Sequence, residues 1–181
     1  MSNSWKTISS KVIYKNKFIS LYKNKVFPPN NKLTEYPIVE RKAAVVVVPI
    51  ESDRTTYLVK QYRYTLNKVS IEFPAGYINE GETPLAAAQR ELAEEVGLKG
   101  KTWKEISHVF MMGSLIKAKH IYFVAKNLTK TIAAPDPTEN IAIMKLPLND
   151  VVKMVMDQKI DIGSSVLAIL LTDILLKEGK L

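Results

Sequence analysis

Short strand-like stretches separated by turn residues precede and follow one central helical segment, and two further helical segments close the chain. Residues 11–26 read as two short strands, the Pro-Pro-Asn-Asn of 28–31 as a turn, and 33–40 as a third strand, together a small antiparallel arm. The run 43–50 is continuously apolar, which predicts a strand over 42–51 buried on both faces, joined to a strand over 55–64 by a hairpin about Ser52 and Asp53. Residues 71–75 lead straight into the central segment, 103–112, 121–126 and 141–146 supply further strands, and helices follow near 149–157 and 164–177. The pattern predicts an α/β fold: an α/β/α sandwich on a mixed sheet over 43–181, with residues 1–42 as a small N-terminal antiparallel β subdomain.

The central segment, GYINEGETPLAAAQRELAEEVGL over 76–98, carries the chemistry. Thr83 suits an N-cap, Pro84 the first helical position and Gly97 a left-handed C-terminal cap, so one helix is expected over 84–96. At about 100° per residue, Leu85, Ala88, Leu92 and Val96 share a stripe that faces a core. Glu91 and Glu95 line up on an adjacent face with Glu94 beside them. Three carboxylates within one turn repel one another, and from within the helix only Arg90, placed to pair with Glu94 at i,i+4, relieves this. A cation is therefore expected. Hard oxygen ligands behind a glycine-bearing loop suit Mg²⁺ or Mn²⁺, and Mg²⁺ is typically held by a few carboxylates, several waters and the substrate's own phosphates. An acidic helix face is more often merely solvated, but the fixed spacing argues otherwise: seven specified residues at roughly one in fifteen each match by chance on the order of 10⁻⁶ times per chain.

Composition narrows the partners. With 181 residues and 46% hydrophobic content the chain can bury one sizeable core. It has no cysteine, which excludes disulfides and thiolate zinc sites, and His108 and His120 are too few and too far apart for a histidine metal cluster. No N-terminal apolar run follows Met1, and the longest apolar stretches are too short to span a bilayer, so no membrane partner is expected and the cytoplasm is the expected compartment. The net charge of +8 is uneven: residues 1–42 hold nine Lys or Arg against Glu35 and Glu40, whereas 72–95 hold six glutamates against Arg90. The lysines of the arm are dispersed and lack the aromatic or glycine-rich grammar of an RNA module. No nucleic-acid partner is expected; lysines on exposed strands discourage edge pairing and steer a phosphorylated substrate modestly.

Gly76, then Glu82 after five residues, then Arg90-Glu91-Leu92-Ala93-Glu94-Glu95-Val96-Gly97-Leu98 after seven, resembles a complete Nudix box. The preceding Gln61-Tyr62-Arg63 and Ile71-Glu72-Phe73-Pro74-Ala75-Gly76 resemble the ADP-ribose pyrophosphatase branch of that superfamily, in which QxR and EFPAG precede the box; the similarity extends over about 18–176. The resemblance implies hydrolysis of a nucleoside diphosphate sugar, with ADP-ribose giving AMP and ribose 5-phosphate. It implies Mg²⁺, or Mn²⁺, held by Glu91 and Glu95, with Glu94 and the Ala75 carbonyl in support. Arg90 is expected to orient the glutamates, with Glu82 doing likewise or touching metal through water. In this branch the general base often lies on a loop near the C-terminal strand, which points to Glu139 within 133–140, with Glu94 as the alternative. The adenine is commonly sandwiched by aromatic residues of the N-terminal arm, often across a homodimer, which points to Tyr36 and Phe18; Arg63 and Arg41 would clamp phosphate beside Gly76.

One departure bears on the substrate. The branch carries a proline in a Ser-Pro-Gly-like turn about sixteen residues after the box, followed by an acid, where this chain reads Met112-Gly113-Ser114-Leu115-Ile116-Lys117-Ala118-Lys119. GDP-mannose or another nucleotide sugar is therefore the alternative to ADP-ribose, and a sensor that binds a nucleotide sugar without turnover is the alternative of another class.

Overall fold

The computed structural model describes residues 4–134 and 140–181. The chain forms two compact units, Met1–Ala43 with Val109–Lys119, and Ala44–His108 with His120–Leu181.

The first unit is an antiparallel meander of β1 (Lys6–Lys15), β2 (Ile19–Phe27) and β3 (Thr34–Arg41), with Ile19 opposite Arg41 and Asn24 opposite Tyr36. The first turn is tied by Asn16, whose side-chain oxygen accepts the backbone N–H of Phe18 at 2.8 Å and of Ile19 at 2.9 Å, an Asx turn. Asn31 takes the left-handed conformation after Pro28-Pro29, which a short polar side chain tolerates. The first residues of β9 (Ile116–Lys130) pair in parallel with β3, Val39 opposite Ile116. Every residue of β1 is exposed, Ile8, Val12, Ile13 and Tyr14 included, as is Trp5 just before it.

In the second unit β4 (Ala44–Pro49) lies between β9 and β7 (Ala75–Tyr77), parallel to the first and antiparallel to the second, and β8 (Leu98–Met112) pairs with β9, so the sheet is mixed as expected. Val45 to Val48 are all 0% exposed, the burial on both faces that the unbroken apolar run predicts. Each stabilises the fold by about 1.5–3 kcal/mol relative to an exposed position. The expected hairpin of 42–51 with 55–64 does not form. β5 (Thr55–Arg63) leaves for a second, antiparallel sheet of order β10-β5-β6, with β6 at Lys68–Glu72 and β10 at Ala142–Pro147. The bridge Ile50–Thr56, a turn closed by Glu51 and Thr55, and the Thr56 hydroxyl donating to the Pro49 carbonyl at 2.7 Å link the two. The physical reason is that both edges of β4 are already hydrogen-bonded, one to β9 and the other to β7, which leaves no edge for β5.

Helix α1 (Pro84–Glu91) and helix α3 (Gly163–Lys177) both pack on β4, and α2 (Leu148–Met156) packs on α3. Val45 and Val47 join Ala87, Ala88 and Leu92 in one core cluster, and the alternation of the strand sends Val46 and Val48 to the other face. This is the α/β/α arrangement expected. Among the described residues no helix is long and apolar enough to cross a membrane.

Candidate active site

The site is built in the second unit where β7 runs past the end of α1. Thr83 caps that helix, its hydroxyl accepting the Ala86 N–H at 3.2 Å, and Pro84 opens it. The α-helix is shorter than expected: it ends at Glu91, and Leu92–Val96 continues as a single π-helical turn closed by Gly97 at φ +68°. A π-helical turn of this kind is frequent at functional sites. Ala87, Ala88, Leu92 and Val96 are buried as the stripe requires, but Leu85 is 39% exposed, a correction to its expected place in the core. Glu91 and Glu95 are buried instead, at 8% and 3% exposure.

Arg90 organises these acids. Its Nε and Nη2 form a fork on Glu82 at 2.9 and 3.0 Å, Nη1 donates to Glu91 at 2.6 Å and to Glu94 at 3.1 Å, and Nη2 also donates to the Tyr77 carbonyl at 2.9 Å. All five donors of the guanidinium are thereby engaged, a geometry lysine cannot reproduce. The relief of repulsion thus extends beyond the expected i,i+4 pair, to Glu91 and to Glu82 in the loop before the helix. Asn79, which the sequence did not single out, donates its backbone N–H to Glu82 at 2.9 Å. The Arg90 hydrogen bonds, with that N–H, hold the Glu82 carboxyl below its ordinary range, and the same bonds to Glu82, then Glu91 and Glu94, raise Arg90 above its own.

A consequence can be measured. A carboxyl whose folded-state pKa is depressed contributes stability that is complete above its unfolded value, near 4.3, and is lost as pH falls through the folded value. Glu82→Gln is therefore expected to lower stability by roughly 1–3 kcal/mol at neutral pH. The gap to the wild type should narrow below about pH 4. Denaturant melts across that window read it, and a pH-independent gap would remove Glu82 as its source.

Glu95 accepts the Ala75 N–H at 3.2 Å, bringing its carboxylate against the backbone that precedes the box glycine. At Gly76 an added Cβ would lie 1.9 Å from Glu91 Oε1, so the absence of a side chain leaves the room that Glu91 fills. Arg63, Ala75, Gly76, Glu91, Glu94 and Glu95 line a common cleft of about 300 Å³. The three carboxylates that line it are hard oxygen donors and suit a divalent cation. Among the described residues no three acidic or histidine side chains are drawn together as a finished metal cage, because Glu91 and Glu94 face Arg90.

The other expected residues are distributed differently. Arg63 lines this cleft but is forked on Glu72, Nε and Nη2 each at 2.7 Å from a carboxylate oxygen. Glu72 was visible in the sequence as part of EFPAG yet given no role; a single acid between Ile71 and Phe73 was the available signal. Phe18 and Arg41 belong to the first unit, where they line a basic pocket with Lys15 and Lys17, and Lys17 lies over the Phe18 ring at 4.8 Å. Tyr36 is five residues from Arg41 on β3, roughly 17 Å along the strand. It packs edge-on against Trp5 at 5.3 Å, and its hydroxyl donates to the Ser114 carbonyl. Tyr36 and Phe18 of one chain therefore do not face each other. Lys117, where an acid was expected, pairs with Glu40 at 3.0 Å. Glu139 lies outside the described residues.

Known proteins support one reading of this geometry. The chain is 31% identical over 167 residues to the methanol dehydrogenase activator of Bacillus methanolicus, covering 91% of this chain and 90% of the relative. It is 32% identical over 158 residues to the ADP-ribose pyrophosphatase of Bacillus subtilis, covering 86% and 85%. The ADP-sugar pyrophosphatase of Mus musculus is 32% identical over 160 residues, covering 78% and 73%. A crystal structure of an ADP compounds hydrolase superposes with a TM-score of 0.86 at 23% identity, covering 98% of this chain and 97% of the other, which establishes the fold. Residues 40–164 match the NUDIX domain, and with the filled box and these relatives this chain belongs to the Nudix family, in the branch that holds the ADP-ribose pyrophosphatases.

Proposed function

We propose that the chain is a Mg²⁺-dependent hydrolase of nucleoside diphosphate sugars, acting in the cytoplasm as a homodimer, with ADP-ribose cleaved to AMP and ribose 5-phosphate as its principal reaction. The observation that carries this is the cleft in which Glu91, Glu94, Glu95 and the Ala75 backbone meet beside Arg63. A pyrophosphate linkage resists attack because its negative oxygens repel nucleophiles, so a catalyst must neutralise charge and place water in line with the leaving oxygen. Divalent cations held by Glu91, Glu95, Glu94 and the Ala75 carbonyl would neutralise that charge when bound. Arg90 fixes the glutamates, Glu82 fixes Arg90, and Arg63 offers a cationic edge for a phosphate oxygen.

The test is a panel of ADP-ribose, other ADP-sugars, GDP-mannose, UDP-glucose and dinucleoside polyphosphates with Mg²⁺, with EDTA expected to abolish activity. A second reading, GDP-mannose, draws on the turn at Ser114, where the expected proline is absent and Lys117, paired with Glu40, stands in place of the expected acid. Preference for a guanine nucleotide sugar in the panel would favour it, and tight binding with no turnover of any member would favour a sensor.

Glu139 is the proposed general base, with Glu94 the alternative. Glu139→Gln is then expected to depress kcat strongly while changing substrate and Mg²⁺ affinity little, since a base acts on the transition state more than on ground-state binding. The acidic limb of the pH-rate profile should vanish with it, and near-normal turnover would move the role to Glu94.

The dimer is motivated by the arm, where Ile8, Val12 and Ile13 are each about half exposed on an edge strand. Light scattering at micromolar concentration is expected to give the mass of two 20.4 kDa chains; a fully active monomer would refute the proposal.

A further inference from the structure

We propose that Glu72 is a positioning residue that acts through Arg63, holding its guanidinium at the cleft in the orientation that receives a substrate phosphate; this rests on the nucleotide-sugar reading above. Glu72 closes β6 and is 3% exposed. In the β5–β6 hairpin Arg63 stands opposite Lys68, Gln61 opposite Ser70, and Val59 opposite Glu72, so Arg63, Gln61, Ser70 and Glu72 share one sheet face. Arg63 thus reaches back four positions along the partner strand to meet Glu72. The contact is a planar fork, both distances 2.7 Å, and the Ser70 hydroxyl donates to the oxygen that also accepts Arg63 Nε.

Stability alone is a poor reason for this arrangement, because a buried ion pair roughly breaks even against apolar residues of the same volume. What the fork does provide is a fixed plane for a long side chain that is still 35% exposed and lines the cleft. It also settles a competition. Glu91, Glu94 and Glu95 line the same cleft and attract any nearby cation. A guanidinium without Glu72 would turn toward those carboxylates, screening them and leaving the phosphate side. The buried carboxylate holds the arginine on its own side of the cleft.

Glu72→Gln keeps the shape and removes the charge and one acceptor of the fork. The test compares wild type, Glu72→Gln, Arg63→Gln and the double variant, each checked for folding by thermal melt. KM and kcat are read with ADP-ribose, and affinity for inorganic pyrophosphate by calorimetry. Glu72→Gln is expected to raise KM and weaken pyrophosphate binding by roughly tenfold, the effect of one charge-assisted hydrogen bond, with kcat changed less than about threefold. Adding Arg63→Gln to Glu72→Gln should then cost less than about threefold more. That comparison stands even if Arg63→Gln alone fails to fold because Glu72 is left unpaired. Unchanged or tighter binding in Glu72→Gln, a loss confined to kcat, or a full further loss on adding Arg63→Gln would each overturn the inference. A wild type that binds pyrophosphate but hydrolyses no nucleotide sugar would instead overturn the substrate reading, with the pyrophosphate affinities of the same four proteins still deciding the role of Glu72.

Discussion

Glu95→Gln is expected to lower turnover by roughly 10²–10³ while the protein stays folded. Glu95 is 3% exposed and accepts the Ala75 N–H, so its carboxylate is fixed against the strand that leads into the box glycine. Glutamine preserves the shape, and its carbonyl oxygen can still accept that N–H. What it lacks is the charge needed to hold a divalent cation, whose stabilisation of the transition state amounts to several kcal/mol, at about 1.4 kcal/mol per factor of ten. The expected signature is a raised Mg²⁺ requirement with an unchanged circular dichroism spectrum and melting temperature. Full activity at saturating Mg²⁺ would remove Glu95 from the metal site.

Gly76→Ala should impair the protein through Glu91 without replacing a charged residue. Gly76 does not use a positive φ, so the backbone itself accepts alanine. The new methyl would instead stand 1.9 Å from Glu91 Oε1 and 2.2 Å from its Cδ. The end of a glutamate side chain can swing away, so the cost in stability is that of modest overpacking, about 1–3 kcal/mol. The swing, however, takes a proposed ligand from the cleft and breaks its 2.6 Å bond to Arg90. Activity is therefore expected to fall by roughly a hundredfold, since displacements of about an ångström carry penalties of that order. Turnover and thermal melting measured on the same preparation check this. Near-normal turnover would show that Glu91 is dispensable, whereas loss of folding would show that the methyl is not relieved by the side chain alone.

These two variants also show which parts of the site could be read before the fold was known. Thr83, Pro84 and Gly97 act locally, through the backbone groups at each end of one helix, and the structure places them as capping chemistry requires. The unbroken run Val45 to Val48 required burial on both faces, and all four residues are buried. The clustering of Glu91, Glu94 and Glu95 on one side of the turn followed from helical spacing. Each of these follows from a pattern local in the chain.

Other features depend on a distant partner. The switch of β5 into a second sheet was not legible, because the residues between Ile50 and Thr55 suit a tight hairpin equally well, and the choice rests on β9 and β7 pairing with β4. The engagement of all five Arg90 donors arises where β7 and the loop at Asn79 and Glu82 meet the helix. The separation of Phe18 from Tyr36 is set by strand register, which residue types at those positions leave open. By itself the sequence determined the elements, the caps, the central buried strand and the acids that gather on one helix. Only the tertiary structure decided which strand edges pair and which cation each acid faces, because strand pairing and side-chain hydrogen bonds join residues far apart in the chain.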